Sequence, residues 1–594
     1  MTRTPLRPLP RILEARRKGE NPDAIERENL AQRHEELRDG HRMRAEGRLL
    51  VLGVFFFVAF SVVGARMGLM AASEAHEPRA QAAGAAIVAT RADIVDRNGR
   101  VLATNLSTNS LYAQPLQMVD PVRSAHALVE VFPDLNAEKL IKQFTGGRKF
   151  LWIKKKISPE QQQAVFDIGE PGLLFGPREM RLYPNGRLAA HILGGASFGR
   201  EGVHSAEVIG VAGVEKAMDA TLRDPAREGA PVQLSIDVTV QSAIRQVLYG
   251  GMKLMNAKGA TAVLMEVNSG EVISMVSLPD FDPNARPDLP TTGDAGDSPL
   301  FNRAVQGVYE LGSVFKIFNM AMALQDGQVT PTSMVDTTGP MRWGRYRIRD
   351  FHNYGPHLSA TDVIVKSSNV GSARLALEAG ADRQQEFLGD LGFFTPTPVE
   401  LVEAPYAKPL LPKNWSDIVV MTASYGHGFS SSPLHLATGY ASLLNGGTKV
   451  TPTLLKRDGP APVGPRIVRP EVSEAARAML RQVVVRGTAR FGEVPGYAVG
   501  GKTGTADKPK PKGGYYKDRV VATFASVFPA HDPKYVLIVS LDEPSENSGP
   551  KPRRTAGWTA VPVAAEVIRR VAPLLGLRPE IEPVAVDRLL LSSN

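Results

Sequence analysis

An uncharged apolar stretch near the N-terminus limits the folds open to this chain. It reads LLVLGVFFFVAFSVVGA at residues 49–65, lies between Arg48 and Arg66, and continues as MGLMAA. Because roughly 20 apolar residues in a helix cross the hydrocarbon core of a bilayer, the stretch predicts one transmembrane helix, assigned to residues 47–72. The alternatives are a buried core helix and a cleaved secretion signal. A signal peptide begins with a short basic segment, whereas a long charge-rich segment precedes this stretch, so we interpret it as an uncleaved anchor.

Basic residues are more frequent before the predicted span than directly after it. Only Arg66 and Arg79 follow it closely, whereas many precede it, among them Arg3, Arg7, Arg11, Arg16, Arg17 and Lys18. Because basic segments stay on the cytoplasmic side of a membrane, residues 1–46 are predicted to form a cytoplasmic tail, either a solvated helix or a flexible segment. The chain beyond residue 72 is then expected in the periplasm, in a single-pass protein of the inner (cell) membrane.

The chain beyond the span is long enough for more than one domain. The sequence has 594 residues, 43% of them hydrophobic and 22% charged, which excludes a disordered chain. Residues 73–231 mix short strands and helices in an N-terminal platform, with a hairpin predicted at Asn98-Gly99. From residue 232 strands come first, long apolar helices follow and strands return. This order predicts an α/β (α+β) domain over residues 232–576, followed by a C-terminal tail at residues 577–594.

Composition excludes several classes of function. The sequence contains no cysteine, which excludes disulfides, thiolate metal sites and cysteine nucleophiles. Its eleven histidines include no His-Glu-x-x-His or comparable close pairing, so neither a metal nor a cofactor is expected. The net charge of +9 is small for so large a surface, and nucleic acid is not an expected partner.

Two glycine-rich motifs match known catalytic signatures but lack the helix that each signature requires. Residues 496–503 fit the phosphate-binding pattern G-x-x-x-x-G-K-T, and Asp542-Glu543 would supply magnesium ligands. Glycines and prolines follow that loop, so no helix N-terminus is predicted to hold phosphates. Residues 195–199 fit the G-x-S-x-G nucleophile elbow, but Arg200-Glu-Gly202 does not open a helix. We therefore reject a nucleotide-binding protein and an α/β-hydrolase.

A Ser-x-x-Lys pattern occurs twice and is informative once. Ser548 and Lys551 enclose a proline, so they do not share a helical face. Ser313 and Lys316 precede the apolar run IFNMAMALQ, which predicts a helix with both residues on one face, one turn apart. Burial would lower the pKa of the Lys316 ammonium and let the amine take a proton from a hydroxyl. The alternative is a structural lysine paired with a carboxylate.

Two further short motifs follow in the sequence. Residues 502–505, Lys-Thr-Gly-Thr, are predicted to form an edge strand whose glycine lets a substrate backbone approach closely and whose threonines share a face. Strict alternation would point Lys502 away from those threonines. Ser367-Ser368-Asn369 lies between the two signatures, but other Ser-x-Asn triplets begin at Ser107, Ser545 and Ser592, so this motif discriminates only through order and spacing.

The three motifs in this order resemble those of penicillin-binding proteins and serine β-lactamases. Further stretches are similar to the class B, cell-division (septal) type, the penicillin-binding protein 3 group: RADIVDRNGRVLA, RLYPNGRLAAHILG, YELGSVFK, RDFHNYGPHLSATDVIVKSSN, YGHGFSSSPLHLA and GGKTGTA. The resemblance covers nearly the whole chain from the anchor onward. Leu311 stands where the family usually has proline, in YEPGS, and Val314 stands where threonine is common. Both departures concern the geometry at the start of the helix, and neither removes a reacting group.

The resemblance implies a fold and an activity. The fold would be a penicillin-binding/serine β-lactamase-like transpeptidase domain with an extended mixed α/β platform of the penicillin-binding protein dimerisation type and one transmembrane helix. The activity would be that of a serine-type D,D-transpeptidase that cross-links the D-Ala-D-Ala stem peptides of peptidoglycan at the division septum and is acylated by β-lactams. The implied partners are the inner membrane, a septal membrane glycosyltransferase and other divisome proteins.

The resemblance also implies roles for the first two motifs. Ser313 would attack the D-Ala-D-Ala carbonyl, and Lys316 would take its proton. Ser367 would relay a proton to the leaving D-alanine, and Asn369 would hold the donor peptide by its amide.

The third motif would bind the terminal carboxylate of the substrate. Lys502 would supply positive potential, and Thr503 and Thr505, on either side of Gly504, would donate hydrogen bonds. The backbone N–H groups of Ser313 and Thr505 would form the oxyanion hole.

Four alternatives are weighed against this interpretation. A β-lactamase needs a deacylation base, and no Glu-x-x-Leu-Asn pattern follows the second motif. A bifunctional glycosyltransferase would need a further catalytic domain. An elongation-type class B paralogue and a non-catalytic β-lactam sensor or divisome scaffold stay open, and turnover separates the last of these from an enzyme.

Overall fold

The computed structural model describes residues 5–72, 91–201, 206–510 and 513–580. Two compact units divide the chain, one within residues 1–85 and one from residue 86 onward, and each is described by itself.

The first unit is a helical hairpin that continues into an apolar helix. Helix α1 (Leu9–Lys18) ends at Gly19, whose left-handed φ of 73° turns the chain, and helix α2 (Pro22–Ala72) follows. Ile12 and Ala15 of α1 are buried against α2. The segment Gly47–Met67 of α2 has a mean hydropathy of 2.3 and is not buried within the protein, so the predicted span forms a helix of suitable length and composition. Among its described residues, the predicted tail is helical over Leu9–Lys18 and from Pro22 onward.

The second unit is built from short and long strands. They are β1 (Ile94–Val95), β2 (Val101–Ala113), β3 (Leu151–Ile157), β4 (Leu173–Leu182), β5 (Gly195–Glu201), β6 (Ala206–Ala212), β7 (Val232–Gln233), β8 (Gly259–Glu266), β9 (Val272–Leu278), β10 (Met334–Asp336), β11 (Met341–Trp343), β12 (Tyr346–Ile348), β13 (His357–Ser359), β14 (Gly500–Pro509), β15 (Tyr515–Phe528) and β16 (Tyr535–Asp542).

Helices lie between these strands and after them. They are α3 (Pro121–Val131), α4 (Ala137–Phe144), α5 (Pro159–Phe166), α6 (Ala190–Leu193), α7 (Gly213–Ala217), α8 (Asp219–Leu222), α9 (Val238–Leu254), α10 (Lys316–Gln325), α11 (Ala360–Val365), α12 (Asn369–Ala379), α13 (Ala381–Asp390), α14 (Asp417–Ala423), α15 (Pro433–Leu444), α16 (Pro470–Arg486) and α17 (Ala560–Leu574).

The N-terminal part of this unit is organised around the long strand β2. Strands β3 and β4 pair with β2 in antiparallel fashion, and helices α3, α4 and α5 enclose a small core of their own with them. The hairpin predicted at Asn98-Gly99 is confirmed, because β1 pairs with β2 across it and Gly99 has φ 81°. Strand β1 also pairs in parallel with β7, which leads into the larger part of the unit.

The larger part is built on an antiparallel sheet with the strand order β14-β15-β16-β8-β9. Residues 536–539 of β16 are fully buried, so side chains on both faces of the sheet are covered. Helices α9 and α17 pack together against the sheet, and α15 and α16 also pack against it. The mixture of strands and helices agrees with the predicted α/β (α+β) domain, and β14 is the edge strand that the Lys-Thr-Gly-Thr motif predicted.

Neither glycine-rich motif opens a helix. Residues 496–503 run into strand β14, and residues 195–199 lie within strand β5. Asp542 and Glu543 bind the Lys508 ammonium, each at 2.8 Å, instead of forming a separate acidic pair. The rejection of both signatures is confirmed.

Candidate active site

Ser313 lies on a tight turn that enters an apolar helix. Gly312 starts a short 3-10 helix (Gly312–Phe315) with φ 66°, a left-handed conformation that suits glycine, and α10 continues from Lys316. Ser313 is half-buried at the mouth of a cleft, whereas the Lys316 side chain is fully buried. The predicted succession of serine, one turn and buried lysine is therefore present, with 3-10 geometry in its first turn.

The Lys316 ammonium is held by the second motif. Its Nζ donates to the Ser367 carbonyl oxygen at 2.6 Å, to Ser367 Oγ at 3.0 Å and to Asn369 Oδ1 at 2.7 Å. In the part of the chain that the structure describes, no carboxylate bonds this ammonium, which disfavours the alternative of a structural lysine in an ion pair. The same bonds leave no hydrogen bond between Lys316 and Ser313 among the described residues.

Burial disfavours the charged form of Lys316. Removal from water lowers the pKa of Lys316 well below the usual lysine value, and the nearby charge of Lys502 lowers it further. Asp350 acts in the opposite direction. A lowered pKa favours the neutral amine relative to an exposed lysine, and a neutral amine accepts a proton from a hydroxyl.

Ser367 is placed between two amines by an unusual backbone conformation. It lies between α11 and α12 with φ 61°, a left-handed conformation that side chains other than glycine rarely adopt. Its Oγ is 3.0 Å from Lys316 Nζ and 2.9 Å from Lys502 Nζ. When both amines donate to the two lone pairs of this oxygen, the hydroxyl hydrogen is left to point elsewhere, which suits a proton relay.

Lys502 reaches Ser367 from the edge strand β14. Its side chain is fully buried, and its Nζ also donates to the Thr503 carbonyl oxygen at 3.0 Å. Burial lowers the pKa of Lys502 to about 7. Because side chains alternate between the two faces of a strand, Lys502 is expected to point away from the threonines. Its long, flexible side chain nevertheless brings the charge to Ser367.

Thr503 and Thr505 line the same cleft as Ser313, Ser367 and Asn369. Thr503 Oγ1 shares a hydrogen bond of 2.7 Å with Thr488 Oγ1, and Thr505 Oγ1 accepts one of 3.0 Å from the backbone of Ala556. The cleft has a volume of about 560 Å³, which is enough for a short peptide segment.

The candidate residues thus meet in one place. Ser313, Ser367, Asn369, Thr503 and Thr505 line the cleft, and the ammonium groups of the two buried lysines meet at Ser367 beneath it. This arrangement can hold an anionic peptide terminus in the cleft that also exposes the Ser313 hydroxyl, with Ser367 bonded to both lysine amines.

Gly504 allows the first and third motifs to meet. A Cβ atom on Gly504 would clash with the Leu311 carbonyl oxygen, and one on Gly312 would lie 2.9 Å from the Thr505 carbonyl oxygen. Each glycine therefore permits the backbone of the serine turn to lie directly against strand β14.

Replacement of Gly504 with alanine is expected to reduce acylation of the protein by penicillin about 10²-fold, because the serine turn must move away from the strand. The rate of fluorescent-penicillin labelling measures the effect. Gly250→Ala is the matched control, since a Cβ there meets nothing within 4 Å, and its labelling rate should stay unchanged. Equal labelling of Gly504→Ala and wild type would contradict the close-approach argument.

Asp350 is a site residue that motif analysis missed. Its carboxylate accepts from Ser368 Oγ at 2.7 Å and from the backbone N–H groups of Asn369 at 2.6 Å and Val370 at 3.0 Å. It thereby binds the N-terminus of α12 and fixes the second motif. The stretch RDFHNYGPHLSATDVIVKSSN contains it, but no spacing rule points from position 350 to position 369.

Asp350→Asn is expected to shift the pH dependence of acylation. The Asp350 charge raises the pKa of Lys316, so its removal lowers that pKa, and the neutral amine persists to lower pH. The acidic limb of the plot of acylation rate against pH should therefore move to lower pH. The asparagine oxygen can still accept from the helix N-terminus. A limb that stays in place or moves to higher pH would exclude Asp350 as the charge that acts on Lys316.

Two protein-family models match the second unit. That of the penicillin binding protein transpeptidase domain matches residues 260–568, and that of the penicillin-binding protein dimerisation domain matches residues 86–228.

Individual proteins of known type are similar over most of the chain. The chain is 36% identical over 576 residues to the "Probable peptidoglycan D,D-transpeptidase FtsI" of Caulobacter vibrioides, which covers 95% of this chain and 93% of the relative. It is 30% identical over 517 residues to the "Probable peptidoglycan D,D-transpeptidase PenA" of Neisseria gonorrhoeae, with coverages of 83% and 86%. The crystal structure of penicillin binding protein 3 from Mycobacterium tuberculosis, complexed with aztreonam, matches with a TM-score of 0.62 and 26% identity, over 84% of this chain and 98% of that one.

Proposed function

The chain belongs to the class B penicillin-binding proteins and is a peptidoglycan D,D-transpeptidase, and we propose that its reaction proceeds through an acyl-enzyme on Ser313. The family, the fold and the enzyme class that the motifs predicted are thereby confirmed. The observation that carries the proposal is the position of Ser367 Oγ between the two buried amines of Lys316 and Lys502, in the wall of the cleft that holds Ser313.

The first half of the proposed reaction releases D-alanine. Lys316 accepts the Ser313 hydroxyl proton while Oγ bonds to the carbonyl carbon of the penultimate D-alanine. The backbone N–H groups of Ser313 and Thr505 stabilise the oxyanion, and loss of one such donor typically costs about 3 kcal/mol. The peptide C–N bond then breaks, Ser367 passes a proton to the leaving amine, and Lys316 returns the proton it took to Ser367 Oγ, 3.0 Å away, so that both groups are neutral again. An ester between Ser313 and the shortened stem peptide remains.

The second half transfers the acyl group. An amine of another stem peptide bonds to the ester carbonyl carbon, loses a proton to the neutral base, and expels Ser313 Oγ, which regains a proton. One amide bond is formed for each one broken, so the exchange needs no nucleotide.

Substrate binding is assigned to the third motif and to Asn369. Thr503 and Thr505 would donate hydrogen bonds to the terminal carboxylate, and Lys502 adds positive potential from beneath. The Asn369 amide is already engaged, since Oδ1 accepts from Lys316 and Nδ2 donates to the Arg349 carbonyl oxygen at 3.0 Å. One N–H of Nδ2 is left for the donor peptide.

Release of D-alanine tests the proposal. The full-length protein in detergent is incubated with a D-Ala-D-Ala pentapeptide or a thioester analogue and an acceptor amine. We expect catalytic release of D-alanine or thiol in wild type and none above background in Ser313→Ala. Acylation by penicillin without any turnover would instead favour the non-catalytic β-lactam sensor or scaffold.

The cellular setting is also a proposal. Residues 47–72 would anchor the protein in the inner membrane with residues 1–46 in the cytoplasm, supported by the apolar helix and the basic residues before it. The platform, residues 73–231, and the transpeptidase domain, residues 232–576, would then act in the periplasm. Septal work with a membrane glycosyltransferase and other divisome proteins is supported by the cell-division-type motifs and by the FtsI relative.

A further inference from the structure

The lining of the active-site cleft carries an excess of positive charge. The residues that line the cleft include Lys366, Arg486 and Arg490, and the described lining contains no aspartate or glutamate. These cations lie in the same cleft as Ser313 but are separate from Lys502, whose side chain is buried and bonded to Ser367. A substrate therefore meets positive charge in addition to the third motif.

The three cations differ in how much of their charge is balanced by partners within the protein. Arg486 donates to Asp362 at 2.6 Å, and the Lys366 ammonium lies 5.7 Å from the centre of the Tyr354 ring. Arg490 is exposed, and across the described ranges it makes no hydrogen bond, ion pair or ring contact. Its charge is consequently the least compensated of the three.

The backbone that carries Arg490 is well anchored. Arg490 starts a short 3-10 helix (Arg490–Gly492) that follows the buried Ala489 and ends at the buried Gly492. The next side chain, Phe491, packs on Trp558 with ring centres 5.1 Å apart. Two residues earlier, Thr488 bonds Thr503, which ties this loop to the strand proposed to bind the substrate terminus. The guanidinium is thus carried by a well-packed backbone that lines the cleft proposed to bind the peptide.

We propose that Arg490 is a specificity determinant that binds a carboxylate on the donor stem peptide, upstream of its D-Ala-D-Ala dipeptide. This inference rests on the proposed function and names the class of donor, a peptide with a free acidic group in addition to its C-terminus. Thr503 and Thr505 account for the terminal carboxylate, so the uncompensated charge at Arg490 matches a second one. A guanidinium binds a carboxylate through two parallel hydrogen bonds, and an exposed pair of this kind contributes modestly.

Two penicillins provide a matched pair of probes. Carbenicillin differs from benzylpenicillin by one carboxylate on the acyl side chain, which occupies the place of the upstream peptide. Arg490→Gln is expected to reduce the second-order rate of acylation by carbenicillin about fivefold and to leave that by benzylpenicillin within about twofold. Arg490→Glu should enlarge the difference between the two penicillins. The rates are measured by competition with fluorescent penicillin on the full-length protein.

A matched pair of peptides extends the test to the transfer reaction. A pentapeptide with a free side-chain carboxylate before the dipeptide should lose kcat/KM in Arg490→Gln, mainly through KM, and its carboxamide analogue should not. Arg342→Gln is the control, because Arg342 is an exposed arginine outside the cleft lining. It should change neither the ratio of carbenicillin to benzylpenicillin acylation rates nor the ratio of kcat/KM between the two peptides.

The outcomes separate this inference from the function on which it rests. Suppose that benzylpenicillin acylates the wild type normally and that the ratio of carbenicillin to benzylpenicillin acylation rates is unchanged in both Arg490 variants. That result would overturn the role of Arg490 alone. A parallel loss with both penicillins would also overturn it, since it would indicate a structural effect. Failure of benzylpenicillin to acylate the wild type would overturn the proposed function and this inference together.

Discussion

Ser313→Ala is expected to abolish covalent labelling of the protein by fluorescent penicillin. The side-chain oxygen of Ser313 is the proposed attacking atom, and alanine offers no atom that can form an ester with the opened β-lactam ring. The fold should persist, because Ser313 is only half-buried and its side chain makes no hydrogen bond among the described residues. Labelling of the purified variant on a denaturing gel, where only covalent adducts survive, measures the result.

Ser367 is the strongest competitor for the role of nucleophile, because its Oγ lies within 3.0 Å of both amines. Ser367→Ala should nevertheless retain labelling at a reduced rate, since Ser367 is assigned to proton relay. Ser197→Ala, in the rejected G-x-S-x-G motif, and Ser548→Ala, in the second Ser-x-x-Lys pattern, should label like wild type. Labelling that persists in Ser313→Ala and disappears in Ser367→Ala would reverse the assignment.

Lys316→Met is expected to slow acylation by about 10³-fold. Methionine approximates the length and the apolar stem of lysine but cannot take the Ser313 proton, and general-base catalysis typically contributes a factor of about 10² to 10⁴. The change also leaves the Ser367 carbonyl oxygen and Asn369 Oδ1 without their buried donor, which costs stability. The second-order rate of acylation by benzylpenicillin measures the effect on chemistry.

A control on the same helix separates chemistry from stability. Asn319 is 6% exposed, and its Nδ2 donates to the Ser372 carbonyl oxygen at 3.0 Å, away from the reacting groups. Asn319→Leu should lower the melting temperature in the manner of Lys316→Met and should leave the acylation rate of the folded protein within a few-fold of wild type. An acylation rate for Lys316→Met within tenfold of wild type would contradict the assignment of Lys316 as the base.

Local patterns in the sequence predicted much of this site, because they encode local geometry. Alternating apolar residues and Asn98-Gly99 indicated a hairpin, and the apolar run after Ser313 indicated a helix that buries Lys316. The glycines around Lys502 indicated an edge strand. The position of the three motifs in one cleft followed from the family resemblance, since spacing along the chain does not determine which loops meet.

The unpredicted features depend on tertiary contacts. The clash that makes Gly504 necessary arises from Leu311, a residue far away in the sequence. Asp350 binds the N-terminus of α12 from a separate loop, and the path of the Lys502 side chain depends on where Ser367 lies. The free charge of Arg490 became visible only when the partners of its neighbouring cations were known.

Peptide mapping of the penicillin adduct tests the central assignment most directly. Trypsin is expected to release residues 304–316, a peptide whose single serine is Ser313, and residues 367–374, which begin with Ser367. After brief reaction of the full-length protein with benzylpenicillin, mass spectrometry should find the mass of the opened drug on Ser313 in the first peptide. An unmodified first peptide, with the adduct on Ser367 or on a serine elsewhere, would contradict the proposed active site.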